Sequence, residues 1–321
     1  MSVNVIMYRM KPRILTVTLN PAIDKTVKVE NFKFGQDSYE DAIFLSAGGK
    51  GLNVSRVLKR LGIESIATGF VGGASGDYIK KQLNKEKIKH DFCHIKKDTR
   101  TSLTVIDSYS KKITRLLERG PLVRNIDCQR FKKKYISLIK KCDYVIFSGK
   151  SIPGAPGSFY AQLISQAKKR NKFTVLDISG IPYKLGLKQK PFMIKPNLKE
   201  AEFLIDNRLD SLKKIKQAVC LFHRRGIKIV AITLGSKGAV ISDANEILFA
   251  VPPKIKQKNP VGCGDAFIGG FIAFYGRDKN LLQAARMAVA CAAANALSFN
   301  PGFINLGTVK KIINQIKIRK L

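Results

Sequence analysis

The stretch NPVGCGDAFIGGF, residues 259–271, carries the strongest signal in the chain. Gly262 and Gly264 free the backbone at the point where an apolar helix begins. The first turn of a helix has unpaired N–H groups and a partial positive charge, so this turn can cradle a phosphate or a transition state with spread negative charge. Asp265 lies at the same point, where its carboxylate either caps the helix or takes a proton from an attacking hydroxyl.

On both sides of this stretch, apolar β-branched runs alternate with stretches of helical spacing. This alternation predicts right-handed βαβ crossovers and one domain over residues 1–321, with a mostly parallel sheet covered on both faces. Segments 24–46 and 101–117 are polar and extended instead, which is typical of an edge or lid. The predicted core strands are 14–19, 65–71, 144–147, 173–176, 192–194 and 227–232, the hairpins are 103–107 with 113–117 and 239–241 with 247–251, and the helices are 54–61, 77–85, 131–139, 159–169, 200–205, 212–222, 265–274, 281–297 and 309–316.

The composition excludes several classes of protein. Of the 321 residues, 45% are hydrophobic and 25% are charged, which excludes collagen-like and mostly disordered chains. No apolar run approaches the ~18 residues of a membrane-spanning helix, and residues 1–10 do not resemble a secretory signal. The six cysteines form no CxxC pair, which favours a reducing cytoplasm.

The net charge of +35 is unusual. Such an excess is found in proteins that bind nucleic acids or other polyanions, and a polyanion-binding regulatory protein remains an alternative. The basic residues are spread along the chain, however, and no strip of basic and aromatic residues suited to base stacking is present. We therefore predict an anionic small-molecule substrate, no specific nucleic acid partner and no membrane partner.

Two further motifs follow predicted strands, at the end of an α/β sheet where ligands bind. In KPNLKE, residues 195–200, the oxygens of Asn197 and Glu200 can meet on one face of a starting helix and hold Mg²⁺ through water. The alternative is a capping arrangement with Glu200 in the first turn. In TLGSKG, residues 233–238, a hydroxyl and two glycines follow the strand.

Together these motifs resemble the ribokinase-like (PfkB) carbohydrate kinase family, in its phosphofructokinase and tagatose-6-phosphate kinase branch. The resemblance extends from Thr16 to about Asn300. It rests on the order of many matching segments, which is more specific than any one of them. The segments are TLNPAID (18–24), GGKGLNV (48–54), TRT (99–101), LDISG (176–180), IKPNLKE (194–200) and GCGD (262–265).

The resemblance implies a three-layer α/β/α sandwich with a small β-sheet lid, formed by about 24–46 and 101–117. It implies ATP and Mg²⁺ as cofactors, leaves a monovalent-cation requirement open, and favours a homodimer through the lid. It implies that Asp265 is the catalytic base and that Gly262, Cys263 and Gly264 form the anion hole. The implied sugar contacts are Asp24, Gly48, Gly49, Lys50 and Asn53, and Arg100 would bind the substrate phosphate. The implied nucleotide contacts are Lys195, Asn197, Thr233, Gly235, Gly238 and Gly264, and Asn197 with Glu200 would govern Mg²⁺.

The implied reaction is phosphoryl transfer from ATP to a hydroxyl of a phosphorylated ketohexose. Fructose 1-phosphate is the first expectation, followed by fructose 6-phosphate and tagatose 6-phosphate. Three positions depart from the family pattern. Cys263 replaces an alanine, Lys150 stands where the branch has a serine, and no acidic residue follows Gly120-Pro121. The last of these bears on sugar specificity more than on the type of reaction, whereas Lys150 either contacts a substrate phosphate or is solvated.

Overall fold

The computed structural model describes residues 11–321 and contains two sheets. The large sheet has eleven strands, with β15, β14, β13, β12, β11, β10, β9, β1, β4 and β5 in spatial order and β6 beside β4. Its strands from β12 across to β5 are parallel, whereas β13, β14 and β15 are antiparallel. In chain order the strands are β1 (Ile14–Thr18), β2 (Ala22–Val29), β3 (Glu40–Gly48), β4 (Ser65–Gly72), β5 (Lys89–His90), β6 (Cys93–Ile95), β7 (Arg100–Asp107), β8 (Ile113–Leu117), β9 (Tyr144–Ser148), β10 (Phe173–Asp177), β11 (Met193–Ile194), β12 (Ile229–Thr233), β13 (Ala239–Ser242), β14 (Ile247–Val251) and β15 (Lys317–Lys320).

Helices cover both faces of the large sheet, because its central strands are apolar on both sides. In β12, Val230 and Ile232 pack into one core cluster and Ile229 and Ala231 into the other. This is the continuous apolar pattern expected of a parallel strand buried on both faces. The helices are α1 (Lys50–Arg60), α2 (Gly73–Lys85), α3 (Asn125–Ile139), α4 (Phe159–Lys168), α5 (Ile181–Leu187), α6 (Leu198–Ile205), α7 (Leu212–Arg224), α8 (Cys263–Asp278), α9 (Leu281–Ala296) and α10 (Leu306–Ile313).

The smaller sheet is the predicted lid. Its four strands lie in the order β3, β2, β7 and β8. Strands β2 and β7 are parallel neighbours, and their register places Ala22 beside Arg100 and Asp24 beside Ser102. The lid therefore joins two segments that are far apart in the chain, and both lead directly into predicted substrate-binding residues.

The three-layer α/β/α architecture with its lid sheet is confirmed. The sequence reading missed α5 and the strands β5, β6 and β15, and it placed the last helix three residues too late. Within residues 11–321, no helix combines the length and the apolar character needed to cross a membrane. The prediction about a secretory signal concerns residues 1–10, which lie outside the described part of the chain.

Candidate active site

A cleft of about 1450 Å³ opens at the carboxyl ends of the parallel strands, beneath the lid. This is the edge at which open α/β sheets bind their ligands. The structure brings the predicted site residues together there. Those that line the cleft are Asp24, Gly49, Lys50, Asn53, Arg100, Lys195, Asn197, Glu200, Thr233, Gly235, Gly238, Gly262, Cys263, Gly264 and Asp265.

Asp265 lies in the first turn of α8, and its side chain is almost fully buried. Gly262 caps this helix with a left-handed φ of 85°, a conformation that a side chain would disfavour. The Asn53 amide donates a 2.8 Å hydrogen bond from Nδ2 to Asp265 Oδ2. Burial raises the pKa of Asp265 to about 6, against the opposing effect of Lys50. A carboxylate with this pKa is matched to accepting a proton near neutral pH.

Asp177, at the end of β10, holds the two lysines of the cleft. Its buried carboxylate lies 3.2 Å from Lys195 Nζ and 3.4 Å from Lys50 Nζ. Burial disfavours the charged form of Lys50, but the carboxylates of Asp177, Asp265 and Glu200 outweigh that cost and raise its pKa. Both lysine side chains thus lie in the cleft beside one buried carboxylate, where they can neutralise phosphate oxygens.

The role of Asp177 was not predicted from the sequence. Its segment was noted only as part of the family pattern, and no function was given to the carboxylate. The signal was nevertheless available, because Asp177 is the one charged residue of the strand FTVLD. A carboxylate that ends a buried parallel strand must lie at the ligand edge of the sheet.

Asn197 and Glu200 form the capping arrangement that was the alternative to metal binding. Asn197 Oδ1 accepts from the Glu200 N–H, and Glu200 Oε2 accepts from the Asn197 N–H, both at 2.9 Å. The cap does not use every oxygen, since Oε1 of Glu200 makes no hydrogen bond with the described residues. Burial, followed by repulsion from Asp177, raises the pKa of Glu200. This donor set fits a hydrated Mg²⁺, which prefers one or two carboxylates plus phosphate and water oxygens.

The acceptor end of the cleft combines the carboxylates of Asp24 and Glu118 with several cations. Burial raises the pKa of Asp24 although Arg100 opposes the shift. Arg100 donates to the Asn20 carbonyl from Nε and Nη2 at 3.3 Å, and to Ser102 Oγ from Nη1 at 3.0 Å. Gly48 is not part of the lining, but a Cβ built on it would lie 2.2 Å from Asp24 Cγ. Gly48 therefore makes room for the Asp24 side chain.

The opposite end of the cleft is less charged and is suited to a nucleotide. Thr233, Gly235 and Gly238 lie where β12 turns back towards β13. Beyond them the wall is apolar, as the alanine-rich sequence of α9 suggested. The apolar lining residues are Val251, Pro252, Pro253, Ile255, Val289, Ala292, Ala293 and Ala296.

Cys263 fills the alanine position without adding an activated thiol. Burial raises its pKa, and Asn295 Nδ2 donates to its sulfur at 3.5 Å. A nucleophilic cysteine needs a lowered pKa, so this environment does not support thiol catalysis. Lys150 lines the cleft beyond the end of β9 and makes no ion pair with the described residues. It adds positive charge at the acceptor end.

A three-layer α/β/α fold with a lidded cleft, an anion cradle and a buried carboxylate defines a small-molecule phosphotransferase. The chain belongs to the pfkB family of carbohydrate kinases, which its residues 17–306 match, and it is an ATP-dependent sugar kinase. A candidate phosphofructokinase from Staphylococcus aureus is 30% identical and has a TM-score of 0.81, covering 96% of this chain and 99% of that one.

Two further solved structures are 25% identical to this chain. Phosphofructokinase-2 from Escherichia coli, solved with potassium, has a TM-score of 0.88 and covers 95% of this chain and 99% of its own. A candidate 1-phosphofructokinase from Thermotoga maritima has a TM-score of 0.87 and covers 96% and 99%. The similarity therefore extends over nearly the whole length of this chain and places it among sugar-phosphate kinases.

Proposed function

We propose that this protein transfers the γ-phosphate of ATP to a hydroxyl of a phosphorylated ketohexose, with fructose 1-phosphate as the first candidate. Fructose 1,6-bisphosphate would then be the product. The observation that carries the proposal is the position of Asp265. It is a buried carboxylate with a pKa of about 6, at the start of α8 and between two lysines and the cationic acceptor end.

In this proposal, Asp265 accepts the proton of the attacking hydroxyl through Oδ1 or Oδ2, while Asn53 holds the carboxylate in place from Nδ2. The N–H groups of Gly262, Cys263 and Gly264 lie at the start of α8, where they would stabilise the charge that develops on the transferred group. The Cys263 N–H also donates a long hydrogen bond of 3.4 Å to the Pro260 carbonyl. Lys50 and Lys195 neutralise phosphate oxygens on either side of the transfer. Phosphoryl transfer depends chiefly on this kind of positioning and charge neutralisation.

Glu200, and Asn197 through water, would hold Mg²⁺ beside the nucleotide phosphates. When bound, the metal shields phosphate charge and orients the transferred group. The protein contributes the carboxylate oxygen of Glu200 that the helix cap leaves available. Thr233, Gly235 and Gly238 would contact the nucleotide, while Asp24, Gly49 and Gly48 would position the sugar. A potassium requirement is tested by comparing turnover in potassium and in tetramethylammonium salts.

Arg100 supports a substrate that already carries a phosphate. Its hydrogen bonds go to neutral acceptors, and no carboxylate of the described residues makes an ion pair with it, although Asp24 and Glu118 are near enough to interact with its charge. A planar guanidinium binds phosphate through two parallel hydrogen bonds. Arg100 does not by itself distinguish fructose 1-phosphate from fructose 6-phosphate or tagatose 6-phosphate, which are the alternatives.

The test is ADP release from Mg-ATP with fructose 1-phosphate, fructose 6-phosphate, tagatose 6-phosphate and free fructose, with Asp265→Asn as the control. We expect the native protein to prefer one phosphorylated ketose strongly. In Asp265→Asn, turnover should fall by roughly 10²–10⁴-fold, which is the usual contribution of a general base. Equal turnover with free fructose would contradict the role of Arg100. A variant with native turnover would contradict the role of Asp265.

We also propose a homodimer formed through the lid, in the cytoplasm. The lid exposes large apolar side chains, including Phe44 at 52% and Leu116 at 62%, which a second copy could cover. All six cysteines are free, which suits a reducing compartment. Light scattering on the native protein and on Phe44→Lys/Leu116→Lys tests the dimer. A monomeric native protein would contradict it.

A further inference from the structure

A second pocket, of about 610 Å³, adjoins the cleft near the base of the lid. We call it the outer pocket. Its volume lies within the roughly 300–1,000 Å³ of ordinary small-molecule sites. It shares Arg100, Glu118 and Arg119 with the cleft, so these residues separate the two spaces. The remaining lining residues are Lys96, Lys97, Asp98, Gly120 and Pro121.

The outer pocket carries an excess of positive charge that the protein itself does not neutralise. Lys96, Lys97 and Arg119 form no ion pair with any described carboxylate. Two acidic residues, Glu118 and Asp98, also line the pocket and offset part of this charge. Glu118 Oε2 accepts a 2.8 Å hydrogen bond from the Thr101 N–H, and Asp98 lies against Gly73, the first residue of α2.

The walls of the outer pocket are fixed by hydrogen bonds to the large sheet. On one side, Thr99 N–H donates to the Gly72 carbonyl, and Gly72 N–H donates to Thr99 Oγ1, both at 3.0 Å. On the other side, Asn20 Nδ2 donates to the Arg119 carbonyl at 2.8 Å. The basic side chains therefore extend from anchored backbone on both sides of the pocket.

We propose that the outer pocket is a second anion site that binds a small phosphate or diphosphate anion. Four cations and two carboxylates line it, so its net charge of +2 favours an anionic ligand. Lysine and arginine side chains are suited to such a ligand, since they supply several N–H donors and retain their charge. Small phosphate-bearing anions are thus the class of ligand that the site would take.

Arg100 couples the outer pocket to the cleft. Its guanidinium donates to the Asn20 carbonyl, Ser102 Oγ and the Glu118 carbonyl, and none of these acceptors is charged. An anion in either space would draw on the same positive charge, and the two anions would repel each other. An anion in the outer pocket therefore weakens binding of the sugar phosphate in the cleft. The sugar phosphate weakens binding of that anion by the same factor.

The test is calorimetric titration of the metal-free protein with inorganic pyrophosphate and with inorganic phosphate. The variant is Lys96→Gln/Lys97→Gln, which removes two charges from the outer pocket alone. The matched control is Lys310→Gln/Lys311→Gln, since these adjacent lysines are exposed on α10 and line neither space. We expect pyrophosphate to bind at least tenfold more weakly to the variant, and unchanged to the control.

Three results would overturn the site. These are no binding of either anion to the native protein, native-like pyrophosphate binding in the variant, and an equal loss in the control. The coupling is tested separately, by the dissociation constant of the preferred sugar phosphate with and without pyrophosphate. That constant should rise in the native protein and not in the variant. Only the coupling rests on the function proposed above, because pyrophosphate binding is measured without turnover.

Discussion

Replacing Asp265 with asparagine should abolish most turnover and yet make the folded protein more stable above neutral pH. The carboxylate is buried, and its pKa is raised in the fold from an ordinary 3.8 to about 6. Because the pKa is higher in the fold than in the unfolded chain, the carboxyl group stabilises the fold fully when the pH is below the unfolded pKa. That stabilisation is lost as the pH rises through the folded pKa. The asparagine has no charge to desolvate and avoids this loss.

The size of the effect follows from the shift in pKa. About two units at 1.36 kcal/mol each correspond to about 3 kcal/mol at pH 8. At pH 5, where the folded group is mostly protonated, the same relation gives about half of that value. We therefore expect the stability advantage of Asp265→Asn to grow by about 1.5 kcal/mol between pH 5 and pH 8.

The assay is urea unfolding of the native protein and of Asp265→Asn at pH 5, 6, 7 and 8. Asp210→Asn is the control for removing one negative charge, because Asp210 is exposed and hydrogen bonded to Lys214, which lowers its pKa. The control should gain no stability as the pH rises. An Asp265→Asn advantage that is absent, or that does not change with pH, would refute the assignment of a raised pKa to this carboxylate.

Three other variants test neighbouring parts of the cleft. Burial is the largest cause of the raised pKa of Asp265, and the negative charge of Asp177 raises it further. Asp177→Asn removes that charge, so the acid limb of the kcat/KM profile should move to lower pH. An unmoved limb would contradict the interaction. Gly48→Ala places a Cβ about 2.2 Å from Asp24 Cγ and should raise the KM for the sugar tenfold or more while leaving the KM for ATP unchanged in steady-state assays. Cys263→Ala should keep turnover within about threefold of native, because the proposed anion cradle uses backbone N–H groups at the start of α8 and not the thiol, and a loss beyond a hundredfold would indicate a thiol role.

Much of this architecture follows from local patterns in the sequence. The alternation of apolar residues and threonines at β1, the continuous apolar run at β12 and the stripe Val54, Val57, Leu58 on α1 predicted the right elements. Burial on one or both faces of an element imposes each of these patterns. The sequence was less informative where elements are short or polar. Helix α5 has seven residues and begins with a proline in its first turn, and β15 reads KIRK, since an edge strand needs no apolar face.

The candidate site was predictable in its membership but less so in its contacts. Each motif indicated its residues by position at a strand or helix end, and the structure places those residues around one cleft. The double ion pair of Asp177 could not be read from the sequence, because Lys50, Asp177 and Lys195 are brought together only by the order of the strands. Likewise, sequence spacing alone left capping and metal binding equally open at Asn197 and Glu200.

The pairing of β2 with β7 has a kinetic consequence. Asp24 belongs to one strand and Arg100 to the other, and the two strands run side by side in register from Ala22 and Arg100 onward. A movement that lifts the lid from the cleft must therefore displace the proposed sugar contact and the proposed phosphate contact together. Release of the sugar product and entry of water would then be coupled in time.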